Sequence, residues 1–115
     1  QAEALYTAAL EAARLEGGEQ VLDLYCGTGT LTLLFARAVK GGTAVGVESA
    51  PDAVERAVRN ATRNGLPGTR FVEGEARRVL REWARGERPG AVRPDIIVVD
   101  PPRAGLHPRV VARIA

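Results

Sequence analysis

Five acidic residues and a pair of glycines fall where chemistry can be done: Asp23 ahead of Gly27-Thr28-Gly29-Thr30, then Glu48, Glu73 and Glu75 around Gly74, and Asp100 ahead of Pro101-Pro102-Arg103. Glycines at 27 and 29 leave room for a ligand against bare backbone, and amides at a helix start attract anions. A glycine pair alone is equally well explained as a tight strand-to-helix turn. Glu48 changes the weighing. It follows Gly29 by nineteen residues, and an acid at that distance, ending the next strand, accepts both hydroxyls of a ribose. Glycines and acid together point to a cofactor that contains a nucleoside.

The elements that must position these residues alternate along the chain. Ala4, Leu5, Ala8, Ala9, Ala12 and Leu15 predict a helix over 2–16, ended by Gly17-Gly18. Gln20 to Tyr25 reads as a strand. A helix through Leu31, Leu34, Phe35 and Val39 follows, with Thr28 or Thr30 as its cap. Thr43 to Glu48 is a second strand, and Pro51 opens a helix bearing Ala53, Val54, Ala57, Val58 and Ala61. A third strand is expected over Thr69 to Glu73, and a helix over Glu75 to Arg85. Ile96-Ile97-Val98-Val99 has the continuous β-branched character of a strand buried on both faces. The alternation predicts one doubly wound α/β domain over 1–115, with a four-stranded parallel sheet truncated on its C-terminal side. Each acid except Asp23 then ends or follows a strand at the sheet's carboxyl edge, where such folds bind ligands.

The residue types discriminate among cofactors. A dinucleotide fingerprint wants a third glycine where Thr32 stands, and no Gly-Lys-Ser/Thr ending marks a phosphate loop. A rim of carboxylates repels a pyrophosphate. It suits ribose hydroxyls, an exocyclic amine and an ammonium group, which S-adenosyl-L-methionine carries.

The same residues carry a resemblance. Val21-Leu22-Asp23-Leu24-Tyr25-Cys26-Gly27-Thr28-Gly29-Thr30, the Glu48 edge, Asn60 with Asn64-Gly65, and Asp100-Pro101-Pro102-Arg103-Ala104-Gly105-Leu106 resemble the RNA uracil-5-methyltransferase family over essentially the whole chain. The first motif is shared by many class I methyltransferases with a Rossmann-like core; the last is narrower. The resemblance implies that Tyr25, Thr30, Glu48 and Asp100 contact S-adenosyl-L-methionine, with Gly27 and Glu75 lining its pocket. It also implies 5-methyluridine formation in transfer or ribosomal RNA. A cysteine thiolate there attacks carbon 6 of the uracil, and that cysteine is expected beyond Ala115. Rival readings are a class I methyltransferase acting on cytosine or on a guanine amine of RNA, and a non-catalytic domain that binds NAD.

Other residues invite roles they are not expected to hold. Cys26 lies in the glycine turn with no nearby His or Lys to activate it, so a small buried thiol is expected. His107 reads as a helix-start or surface residue. Arg77, Arg78, Arg81, Arg85, Arg88 and Arg93, interrupted by Glu82 and Glu87, read as a solvated face, while Arg103 and Arg109 are better placed for RNA phosphates. Trp83 and Leu80 are expected to pack a helix onto the sheet.

Composition sets the outer bounds. Of 115 residues, 45% are hydrophobic and 26% charged, which excludes a disordered chain. The net charge of +2 is too mild to prove a nucleic-acid partner. No apolar run approaches the ~18 residues of a membrane span. One cysteine can neither form an internal disulfide nor complete a zinc site, and a cytoplasmic protein is expected. The absence of Met and the uncapped, periodic apolar run from Pro108 to Ala115 lead us to expect a piece of a longer protein.

Overall fold

The computed structural model describes residues 2–99 and 110–113. Along the chain run α1 (Ala2–Ala13), β1 (Gln20–Leu24), α2 (Thr30–Ala38), β2 (Thr43–Glu48), α3 (Pro51–Arg63), β3 (Arg70–Glu73), α4 (Ala76–Ala84), β4 (Ile96–Val99) and β5 (Val110–Arg113). The strands form one sheet in the order β3-β2-β1-β4-β5. β1 to β4 are mutually parallel, as the alternation predicts. β5 is antiparallel to β4, with Val110 opposite Val99 and Arg113 opposite Ile96. This adds a fifth, antiparallel strand to the four parallel ones expected. The β-branched pair Val110-Val111 favours the extended form, and the outer edge of β4 offers backbone groups for it to pair.

Helix starts also depart from the sequence reading. α1 ends at Ala13, and Arg14 adopts φ 50°. Neither Thr28 nor Thr30 caps α2. Gly29 stands at the cap with φ 84°, a left-handed turn that needs no side-chain acceptor to swing the chain out of β1. Pro51 opens α3 as expected.

Strand alternation divides the core in two. Val21, Ala44, Ile96 and Val98 pack with Ala9 and Ala13 of α1 and with Leu31 and Phe35 of α2. The residues between them, Leu22, Leu24, Val45, Val47 and Val72, pack with Ala76, Val79 and Trp83 of α4. Ile96 and Val98 are fully buried, but Ile97 and Val99 are only half-buried. The expected burial of β4 on both faces is therefore incomplete. Among the described helices only α4 contributes to the cluster on that side, and it sits over β2 and β3 as well. Trp83 seals α4 to the sheet as anticipated, and its Nε1–H donates to the Pro89 carbonyl at 3.2 Å.

β1 lies at the centre, where the order reverses between β1 and β4. At its start the Gln20 N–H donates to Asp95 Oδ2 at 2.8 Å, and the Asp95 N–H donates to the Gln20 carbonyl at 2.8 Å. The reciprocal pair sets the register of β4 on β1. It thereby fixes where the carboxyl ends of both strands stand.

Candidate cofactor-binding edge

The chain leaves β1 through Tyr25 at φ 60°, a left-handed conformation that costs an aromatic residue ~1–3 kcal/mol. The side chain of Tyr25 is half-buried against the α4-side core, which helps hold that conformation. The Cys26 N–H then donates to the Val47 carbonyl at 2.9 Å, carrying the β1–β2 pairing one residue into the turn.

Glu48, ending β2, binds the turn from the other side. Its Oε1 accepts the Gly27 N–H at 2.9 Å and its Oε2 accepts the Ala50 N–H at 3.0 Å. One carboxylate therefore ties the β1–α2 turn to the start of α3. Ionised carboxylates have about four lone-pair sites, so two remain for donors such as ribose hydroxyls. On the α3 side, Asn60 Nδ2 donates to the Thr28 carbonyl at 3.1 Å.

The two glycines of the turn do different work. Gly27, at φ 58°, has no atom within 4 Å of where a Cβ would stand, so its backbone is bare toward open space. At Gly29 a Cβ would lie 2.8 Å from the Phe71 ring and 3.1 Å from Ala57. The room expected beside Gly29 is thus filled by the protein itself, and only Gly27 presents the open backbone foreseen for a ligand. Gly46 in β2 belongs with Gly29: a Cβ there would stand 2.7 Å from Cys26 Sγ and 2.9 Å from both Phe71 and Thr32 Oγ1. A glycine inside a strand marks such close approach, which is the signal that could have singled out Gly46. Thr32, in place of a third glycine, donates its hydroxyl to buried Asp23 at 2.6 Å and so ties α2 to β1.

The remaining expected site residues divide. Thr30 is exposed in the first turn of α2 and lines a groove of about 150 Å³ with Leu33, Leu34, Arg37, Asn60 and Asn64, between α2 and α3. Glu75 caps α4, its oxygens accepting the N–H groups of Arg77 at 3.0 Å and Arg78 at 3.1 Å. The Arg77 amide bond foremost holds its carboxyl below the usual glutamate range. Glu73 lies opposite Glu48 in register. Asp100, Arg103, His107 and Arg109 lie outside the described residues.

Cys26 is a half-buried thiol, less covered than the small buried thiol expected. Desolvation, then the charges of Asp23 and Glu48, push its pKa up to about 12. At neutral pH this holds it as the thiol, whereas a nucleophile requires the thiolate. The arginine-rich stretch follows expectation in large part: Arg77, Arg78, Arg81, Arg85 and Arg93 are exposed, but Arg88 is half-buried, and Glu82 pairs with Arg78 at 3.3 Å and with Arg88 at 2.8 Å. Among the described residues no cluster of His, Cys, Asp and Glu could hold a metal ion, and no helix is long and apolar enough to cross a membrane.

The chain is similar in sequence and in fold to known proteins. A family model described as a methyltransferase domain matches residues 15–87. An uncharacterized RNA methyltransferase of Halalkalibacterium halodurans is 46% identical over 106 residues, which are 91% of this chain and 22% of that protein. Another, from Nitratidesulfovibrio vulgaris, is 42% identical over 95% of this chain and 23% of its own length. The chain thus spans under a quarter of the relatives it matches. Among solved structures, TrmN from Thermus thermophilus superposes with a TM-score of 0.72 at 25% identity, covering 86% of this chain and 28% of that one. An S-adenosylmethionine-dependent methyltransferase from Agrobacterium tumefaciens gives 0.64 at 29% identity over 90% of this chain and 31% of its own. The open Gly27 backbone beside a carboxylate with free acceptor sites fits the cofactor of such domains, S-adenosyl-L-methionine. With its Rossmann-like sheet, its glycine turn and the matched span of 15–87, the chain belongs to the methyltransferase domain family.

Proposed function

We propose that this domain is the S-adenosyl-L-methionine-binding part of an RNA methyltransferase that forms 5-methyluridine in transfer or ribosomal RNA. The observation that carries the RNA substrate is the 46% identity to a relative named an RNA methyltransferase. The uridine assignment rests on the resemblance of residues 100–106 to the uracil-5-methyltransferase motif. When bound, the cofactor supplies an electrophilic methyl group. Glu48 would accept its ribose hydroxyls while still holding the Gly27 and Ala50 amides, so the acceptor is oriented before the ligand arrives. Gly27 would let the ligand lie against the turn, and Tyr25 and Asp100 would flank it at the ends of β1 and β4. Arg103 and Arg109 would meet RNA phosphates.

Carbon 5 of uracil is a poor nucleophile until a thiolate adds to carbon 6. Cys26 is held protonated under the turn, so the attacking thiol would come from the part of the protein outside these residues. The test uses RNA containing 5-fluorouracil, which traps the covalent adduct. The complete gene product should form the adduct in the presence of S-adenosyl-L-methionine and keep forming it in Cys26→Ser, whereas the 115-residue chain alone should form none. An adduct on the chain alone that disappears in Cys26→Ser refutes this assignment. Methyl transfer by the complete product to cytosine or guanine refutes the uridine reading alone.

A further inference from the structure

α3 carries Arg56, Arg59 and Arg63 on one face, at the three- and four-residue spacings that stack side chains along a helix. With Thr28 and Asn60 they line a groove of about 310 Å³ in which no described carboxylate takes part. All three arginines are exposed. Arg59 meets Glu55 at 3.5 Å, an exposed pair of the kind that holds weakly; Arg56 and Arg63 pair with no described carboxylate. On α4, by contrast, Glu82 engages both Arg78 and Arg88, and the capping carboxylate of Glu75 lies among Arg77 and Arg78. The groove is also anchored to the cofactor edge. Asn60 holds the Thr28 carbonyl, so one wall is the glycine turn itself.

We infer that Arg56, Arg59 and Arg63 form a track for the phosphate backbone of RNA, beside the turn that binds the methyl donor. The inference rests on the RNA reading above and adds the surface that takes the strand. Seven residues of helix separate Arg56 from Arg63, ~10 Å at ~1.5 Å per residue. At the ~3.4 Å axial spacing of phosphates along one strand of a stacked helix, that length is about three steps and faces about four phosphates, enough to engage three guanidinium groups. Each presents a planar fork of donors matched to phosphate oxygens.

The test measures binding of a labelled, single-stranded, uridine-containing RNA of ~20 nucleotides by anisotropy from ~50 to ~200 mM salt. Loss of three phosphate contacts at ~0.7 counterions each should flatten the log–log salt slope by about 2 and weaken binding on the order of 100-fold at ~0.1 M. The triple variant Arg56→Gln/Arg59→Gln/Arg63→Gln should show this change while its melting temperature and its affinity for S-adenosylhomocysteine stay at wild-type values. The companion triple Arg77→Gln/Arg81→Gln/Arg85→Gln, on α4 and its C-terminal cap, should flatten the slope far less. Wild-type binding with an unchanged slope in the α3 variant overturns the track and leaves the RNA reading standing. So does a wild-type chain that binds no RNA at ~50 mM salt although the complete product methylates RNA. Displacement of the RNA by an equal concentration of inorganic phosphate makes the groove a single-anion site and likewise overturns the track. A complete product that methylates no RNA takes down the reading on which the track rests.

Discussion

Replacing Glu48 by glutamine leaves the shape of the β2 terminus almost unchanged but turns one of two acceptors into a donor. In the wild type, Oε1 holds the Gly27 amide at 2.9 Å and Oε2 the Ala50 amide at 3.0 Å. The glutamine oxygen can satisfy one of these; the new NH₂ faces the other N–H. A hydrogen bond to a charged group contributes roughly 1.5–3 kcal/mol, and Glu48 is half-buried, so the loss to folding should sit at the lower end, about 1–2 kcal/mol. For a chain of this size that lowers the melting temperature by about 4–10 °C. Cofactor binding should fall further, because the carboxylate's spare lone pairs, assigned to the ribose, go with the charge. A loss of ~1.5–3 kcal/mol corresponds to about 10- to 100-fold in Kd for S-adenosylhomocysteine by calorimetry. The two readouts separate the roles. A lower melting temperature with an unchanged Kd would make Glu48 a clamp on the turn and remove it from the cofactor site. No change in either would refute the bridging geometry altogether.

Gly29→Ala should destabilise the fold more than Gly27→Ala, by a further ~1–3 kcal/mol in denaturant titrations, because its methyl collides with Phe71. Gly27→Ala should instead weaken S-adenosylhomocysteine binding, and the opposite ranking would refute the division of labour between the glycines. Since the Cys26 pKa rises from 9.0 to about 12 on folding, its neutral form stabilises the native state. That contribution is intact below about pH 9 and lost as pH climbs toward 12, so the wild type should lose more stability than Cys26→Ala in unfolding curves above pH 9. Iodoacetamide at about pH 8 should modify native Cys26 ~1,000-fold more slowly than the denatured chain, following the thiolate fraction. Glu75 shows the reverse sign: its lowered pKa stabilises α4 above about pH 4.5 and ceases to as pH falls through the folded value, so Glu75→Gln should blunt the acid side of the helical circular-dichroism profile.

What the sequence made legible was whatever its periodicity and punctuation record. The parallel strands, the Pro51 helix start and the placement of Glu48 beside the glycine turn follow from local patterns. The packing role of Gly29 was not readable, because it depends on Phe71, forty-two residues away in the sequence and brought there by β3. The same holds for Glu48: spacing placed it at the edge, but only the three-dimensional turn shows its oxygens engaged by Gly27 and Ala50. Glu75, read in the sequence as a rim carboxylate, also caps α4, a role that a two- or three-residue reach to its own backbone provides without a partner elsewhere. The arginines of α3 were hidden by their acidic neighbours Asp52 and Glu55 in the linear order, and only the helix sorts them onto one face.

The reciprocal Gln20–Asp95 pair has a consequence for the order of assembly. Gln20 and Thr43 are opposite one another across a loop of twenty-three residues, whereas Gln20 and Asp95 are separated by seventy-five. Closing the longer loop from an unfolded chain costs about 1 kcal/mol more in chain entropy. If β2 and β3 have already formed, the path back from Glu73 to Asp95 is again about twenty-two residues and the excess disappears. Chain entropy therefore favours pairing of β1 with β2 and β3 before β4 returns to β1 and β5 adds to β4. During synthesis the Glu48 clamp on Gly27 can close once residue 50 is free of the ribosome, while one edge of β1 stays unpaired until residues 95–99 follow. A chain interrupted before Asp95 would carry a formed cofactor turn beside an open, apolar strand edge, the form most exposed to intermolecular pairing.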